Sequence, residues 1–134
     1  MQEIGYRSWG MIPADPDPSS GEATIFNPPM LTTLALDPGA SLVFEFDAAP
    51  GRLHVSVEVT AITAEGRGSD IFRTFTGPAN GSFREASRSG WDKAPQGLYV
   101  AFSADVEKVE KYLKLALTDA SSPLVINRIT FLQP

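Results

Sequence analysis

Apolar and polar residues alternate with a period of two along most of this chain. In "GRLHVSVEVTAIT", Leu53, Val55, Val57 and Val59 interleave with His54, Ser56, Glu58 and Thr60. Successive side chains of a strand point to opposite faces, so this run predicts a strand with one face in a core and the other in water. "SLVFEFDA" sets Leu42, Phe44 and Phe46 on one face, "GLYVAFSAD" does so with Leu98, Val100 and Phe102, and "KYLKLALTD" with Leu113, Leu115 and Leu117. Weaker strand signals cover residues 3–9, 22–26, 31–36, 70–76, 82–87 and 124–132. Turn-forming residues separate the runs, as "DPGA", "APGR", "EGRGSD", "GPANG", "APQG" and "DASSP". The pattern predicts one all-β domain over residues 1–134, a jelly-roll-like antiparallel β-sandwich of two sheets with about eight to ten strands.

Two stretches depart from plain alternation. In "SSPLVINRITFLQP" the apolar residues Ile126 and Ile129 are three apart, and Phe131 follows two later. They share a face only if one residue is inserted at Asn127–Arg128, which predicts a β-bulge. "SADVEKVEKYL" has a trace of helical spacing but is short, and it reads as the connection of a hairpin. Near the start, regular alternation sets Ile4 and Tyr6 on one face and Trp9 on the other, with this strand expected to pack beside 124–132. "PADPDPSSG" is an extended Pro-rich loop.

Composition narrows the partners more than the fold. The 134 residues carry 43% hydrophobic and 20% charged side chains, 11 Gly and 11 Pro, and a net charge of −5. At that length roughly two-thirds of the unfolded chain's surface can be buried, so a core forms without staples. An acidic domain repels nucleic-acid backbone and anionic lipid, and no apolar run nears the ~20 residues of a membrane helix. Neither nucleic acid nor membrane is an expected partner. Zero cysteines exclude disulfides and thiolate metal sites. No signal peptide is visible in "MQEIGYRSWG". The compartment stays open between a protein kept inside the cell and a domain of a larger exported chain.

Three stretches together resemble a known family. They are "PGASLVFEFDAAPGRLHVSVEVTAI", "GWDKAPQGLYVAFSADVEKVEKYLKLAL" and "PLVINRITFL". In cadence they are similar to the jelly-roll carbohydrate-binding modules appended to bacterial glycan-active enzymes, over about residues 37–132. The resemblance implies a lectin-like, non-catalytic module that binds an oligo- or polysaccharide. Many such modules place an Asp after the closing strand's Ile to help hold a structural calcium. Here Asn127 and Arg128 stand there, a neutral side chain and a cation, which weakens a calcium site at that point.

The candidate residues each have a second reading. Trp91, in the polar stretch "SRSGWDKAPQG", is expected to cap the core, to stack on a sugar face in a loop with Arg88 and Asp92 holding hydroxyls, or to lie at a partner interface. Tyr99 and Tyr112 fall out of phase with their strands' apolar residues. If those strands pair, both rings share an outward face with Lys114, a second sugar platform, or they simply stabilise cross-strand pairs. Asp15, Asp17 and Glu22 bring oxygen ligands together, but the spacing is not that of a calcium loop. They are a solvated loop or a loose structural calcium site, and no other cofactor is expected. Arg67, Arg73, Arg84 and Arg88 make either a cationic patch for an acidic sugar or scattered charge that neutralises nearby carboxylates. His54 is the single histidine and sits at a polar-phase position. One His and no Cys point away from an enzyme, although a glycosidase-type carboxylate pair assembled by the fold stays open. Two functions follow: a glycan-binding module of a larger carbohydrate-active or surface-polysaccharide system, or a structural sandwich that mediates protein contacts or oligomerisation.

Overall fold

A computed structural model shows two antiparallel six-stranded sheets packed around one core. It describes residues 2–13, 21–26, 31, 33–46, 50–59, 72–86, 88–93, 99–107, 110–117 and 123–134, the side chains at 25–26, 88–93 and 99–102 lying outside that description. The strands are β1 (Gln2–Ile4), β2 (Tyr6–Ile12), β3 (Thr24–Phe26), β4 (Leu34–Leu36), β5 (Ser41–Phe46), β6 (Gly51–Val59), β7 (Phe72–Ala79), β8 (Ser82–Glu85), β9 (Arg88–Lys93), β10 (Tyr99–Val106), β11 (Tyr112–Leu117) and β12 (Leu124–Gln133). Sheet A runs β1-β12-β6-β10-β9, with β4 also on β12, and sheet B runs β3-β2-β5-β11-β7-β8. Three strands have only three residues. The nine longer ones fall within the number the alternation predicts.

Only β2–β3, β7–β8 and β9–β10 are hairpins within a sheet. Eight of the eleven connections between the described strands carry the chain from one sheet to the other, as in a β-sandwich. The β7–β8 turn closes through Asn80 and Gly81, where Gly81 adopts φ +99°, a left-handed backbone that glycine reaches without steric cost.

The core lies where the alternation placed it. Leu53, Val55, Val57 and Val59 of sheet A meet Leu42, Phe44, Phe46, Leu113, Leu115 and Leu117 of sheet B in one cluster. Val100, expected with them, has its side chain outside the described part. The bulge in β12 is present. Ile126 pairs with Val59 and Arg128 with Glu58, so two residues on β12 span one on β6. Ile126, Ile129 and Phe131 are 0%, 5% and 1% exposed. The bulge therefore turns Asn127 and Arg128 together to the outer face, while both isoleucines stay inside.

Three expectations are corrected. The N-terminal run is not one strand. It breaks at Gly5, so that β1 pairs with β12 in sheet A while β2 crosses to sheet B. A register shift between Tyr6 and Ser8 then puts both Tyr6 and Trp9 against the core, where regular alternation had separated them. Second, β10 and β11 do not form a hairpin. Residues 107–111 carry the chain between sheets, with a turn in which the Glu110 N–H donates to the Glu107 carbonyl at 3.1 Å. Third, residues 88–93 are not a loop but the edge strand β9, paired with β10.

Candidate functional site

Among the described residues, the bulged strand β12 also borders a gap in sheet A. On the side away from β6, β4 pairs with residues 124–126 and β1 with residues 131–133. Among the described residues no strand lies opposite 127–130 on that side. Four residues at roughly 3.3 Å each leave about 13 Å of strand edge.

A pocket of about 420 Å³ occupies this place. Ile4, Tyr6, Leu31, Ile129 and Phe131 supply its apolar lining, and Glu3, Thr33, Asn127, Arg128 and Thr130 its polar groups, with Gly5 between β1 and β2. Its floor is held by aromatic packing. The Tyr6 ring meets Phe44 and Phe131 edge-on at 5.1 and 5.9 Å, and Phe44 meets Phe131 at 5.4 Å. The Tyr6 hydroxyl accepts the Leu31 N–H at 2.7 Å, which fixes the ring and leaves the phenol's own proton to donate. Thr33 donates to the Asn127 side-chain oxygen at 3.4 Å, tying the strand start of β4 to the bulge. Arg128 is exposed and makes no ion pair among the described residues, although its Cα faces that of Glu58 across the ladder. Such a cavity, with an apolar body and a few polar groups on rigid strands, has the make-up of a small-ligand site.

The residues singled out from the sequence do not gather there. Trp91, Arg88 and Asp92 belong to β9 at the far edge of sheet A, with Asp92 opposite Ala101, and their side chains lie outside the described part. Tyr99 and Tyr112 share no face. Tyr99 is on β10 in sheet A, opposite Glu58, and Tyr112 is on β11 in sheet B. Tyr112 donates from its hydroxyl to Glu45 at 3.1 Å. Burial, then the bond to Glu45 and its negative charge, push the phenol above its ordinary value.

Lys114 is 0% exposed rather than outward in water. It sits on the outer face of sheet B with Phe83 over its ammonium at 5.1 Å, near a second apolar cluster of Ile12, Ala23 and Val43. Ala23 exchanges two hydrogen bonds with the Asn80 side chain, at 2.9 and 2.8 Å. That clasp fastens the chain before β3 to the β7–β8 turn and helps to cover this face. Of the calcium candidates, Asp15 and Asp17 lie outside the described residues, and Glu22 is exposed. Among the described residues no group of three or more metal-ligating side chains forms.

Two of the four arginines prove to be neutralised. Arg73 binds Glu85 at 2.8 Å. Arg84 grips Glu110 with two nitrogens at 2.7 and 2.9 Å. Arg67 and the Arg88 side chain lie outside the described part. Glu110 is buried and also accepts from Thr76 and from the Glu107 N–H. Burial pushes its carboxyl up, but the bonds from Arg84, Glu107 and Thr76 and the Arg84 charge outweigh that and hold it below the ordinary carboxylate value. His54 shares a 2.8 Å hydrogen bond with Ser103 across β6–β10. Among the described residues no carboxylate completes a triad with this pair.

Sequence reasoning marked Asn127 and Arg128 as a bulge, not as a pocket wall. It took Tyr6 as packing and passed over Leu31, Thr33 and Glu3. The signal for the pocket lay in the coincidence of the bulge with Gly5, which ends β1 beside it. No family model, no curated protein and no solved structure matches the chain.

Proposed function

We propose that this domain is a non-catalytic glycan-binding module, one part of a larger carbohydrate-active or surface-polysaccharide system, and that a sugar unit sits in the pocket beside the β12 bulge. The observation that carries this reading is the pocket itself. It is 420 Å³ in volume, within the ~300–1,000 Å³ of small-ligand sites, and combines an aromatic-backed apolar floor with hydrogen-bonding groups at Asn127, Arg128, Thr33 and Thr130. A pyranose ring offers the same mixture, an apolar C–H face and a rim of hydroxyls. Among the described lining residues Glu3 is the one carboxylate, and hydrolysis of a glycosidic bond ordinarily uses two, so the described lining favours binding over cleavage. The assembly reading has less support. The described outer face of sheet A carries Arg52, His54, Ser56, Glu58, Arg128 and Thr130, and that of sheet B is partly covered by the chain around Ala23, whereas assembly favours a broad apolar patch.

A glycan array with the purified domain tests the proposal, with calcium and with chelator so that Asp15, Asp17 and Glu22 are tested too. Affinity is expected to be weak, about 10 µM to 1 mM. Gly5 lines the pocket, and a side-chain carbon built on it meets nothing within 4 Å. Gly5→Leu should therefore lower binding at unchanged melting temperature. An array with no hits, or hits that Gly5→Leu leaves intact while Trp91→Ala removes them, would move the site or end the proposal.

A further inference from the structure

Two ionic side chains, Glu3 and Arg128, stand among the described lining of the pocket. Glu3 pairs with Leu132 at the β1 end, and Arg128 lies four residues back along β12, roughly 13 Å away at about 3.3 Å per residue. Across water at that range the two charges interact weakly, so each meets a ligand on its own. Arg52, Arg73 and Arg84 each hold a carboxylate, of Asp105, Glu85 and Glu110. Arg128 makes no such pair among the described residues, although Glu58 is its ladder partner and opposite charges so placed ordinarily attract. Glu58 stands on the β6 side of β12 and is not among the described residues that line the pocket. The pocket thus has an unpaired cation at the end near the bulge.

We infer that the pocket takes an acidic sugar, a hexuronic acid whose carboxylate binds Arg128, which rests on the glycan-binding reading above. A guanidinium offers a planar fork of N–H donors that matches the two oxygens of a carboxylate. Thr130 lies two residues on along the same face of β12, and its hydroxyl adds a donor. The Tyr6 hydroxyl already accepts the Leu31 N–H, so its own proton goes to an acceptor on the sugar. Ile4, Leu31 and Ile129 supply the apolar wall for the C–H face of the ring. Glu3 repels a carboxylate at the β1 end and accepts from hydroxyls there, which fixes the direction in which the sugar lies. A neutral hexose leaves the Arg128 charge unmatched. The chain as a whole carries a net charge of −5, a field that opposes anions, so a preference for an acidic sugar requires a cation at the site itself.

The test is a titration of the ¹⁵N-labelled domain, followed by its backbone amide signals. The probes are the methyl glycosides of glucuronic acid, galacturonic acid, glucose and galactose, and sodium acetate. At least one uronide should shift amides within 127–131 and bind about tenfold more tightly than its parent hexoside, the worth of one charge-assisted pair. Arg128→Gln should bring that uronide to the level of its hexoside at unchanged melting temperature, and about 0.5 M salt should narrow the same gap. Equal binding of uronide and hexoside at these amides would overturn the carboxylate assignment and leave the glycan reading standing. A preference for the uronide that survives Arg128→Gln would do the same. Acetate that shifts 127–131 where none of the four glycosides does would show a bare anion site and overturn both readings, and so would the absence of any shift.

Discussion

Two bulges, one in β2 and one in β12, were not equally visible. In both, two core-facing residues stand three apart, Tyr6 and Trp9 in one and Ile126 and Ile129 in the other. Two isoleucines and a phenylalanine tolerate a single face, so a broken step at Ile126–Phe131 had to mean an inserted residue. Tyrosine and tryptophan tolerate either face, because each has an apolar body and a polar tip, and regular alternation through residues 4–9 looked acceptable. A register break is legible where every flanking side chain has only one suitable environment. The two bulges meet at the pocket, for Tyr6 lies just before one and Asn127 and Arg128 form the other.

Removing the inserted residues sharpens that comparison most. Deleting Asn127 shifts Leu124 and Ile126, both buried, to the wrong face relative to β6. At about 2 kcal/mol for each displaced side chain the cost should be about 4 kcal/mol or more. Deleting Arg7 should cost about half as much, since Tyr6 alone of β2 precedes that bulge. Urea melts that give equal losses would break the comparison.

Another register shift, between Thr76 and Ala79 on β7, tests whether irregular pairing rests on packing or on charge. Gly77 lies inside it, and a Cβ there would run into the Ser82 carbonyl. Gly77→Ala should destabilise by about 1–3 kcal/mol through overpacking, read from a denaturant midpoint. Next to it, Glu110 joins Thr76 to Arg84, which face each other across β7–β8. The folded carboxyl ionises below its ordinary 4.5. Its stabilisation is therefore fully present above about that pH and is lost as pH falls through the lowered folded value. Glu110→Gln should flatten this part of the pH–stability profile and cost roughly 1–3 kcal/mol at neutral pH. An unchanged acid limb would show that packing alone holds the irregular pairing of β7 and β8.

Smaller effects belong to the pocket. Tyr6→Phe removes the acceptor of the Leu31 N–H and should cost about 1 kcal/mol in a thermal or urea melt. Arg128→Ala, at an exposed position with no ion pair among the described residues, should change stability by less than about 0.5 kcal/mol. A large loss there would mean that the bulge depends on the arginine rather than on Ile126 and Ile129.

What alternation supplies is the face of each strand, not the sheet to which it belongs. Leu113, Leu115 and Leu117 were readable as core residues, while the parting of β10 from β11 over a short link was not, because either sheet would bury the same side chains. β9 escaped notice for a related reason. An edge strand needs no apolar face, and "RSGWDK" offers none. Lys114 occupies a polar-phase position, and nothing near it in sequence shows that the chain around Ala23 helps to cover it. The pocket drew on residues 3–6, 31–33 and 127–131, three distant segments of which only the last carried a pattern.

Strand β12 pairs with β1, β4 and β6. The first, fourth and sixth of the described strands thus wait for one that follows them all in the chain. Until it arrives, β1 and β4 have no ladder within sheet A among the described residues, and the apolar face of β6 lacks the neighbour that bears Ile126, Ile129 and Phe131. A topology of such distant pairings folds in about milliseconds to seconds rather than microseconds, and an emerging chain carries exposed β-rich segments for all of that time. Loss of β12 would remove an interior strand of sheet A and leave β1 without the partner it has among the described residues.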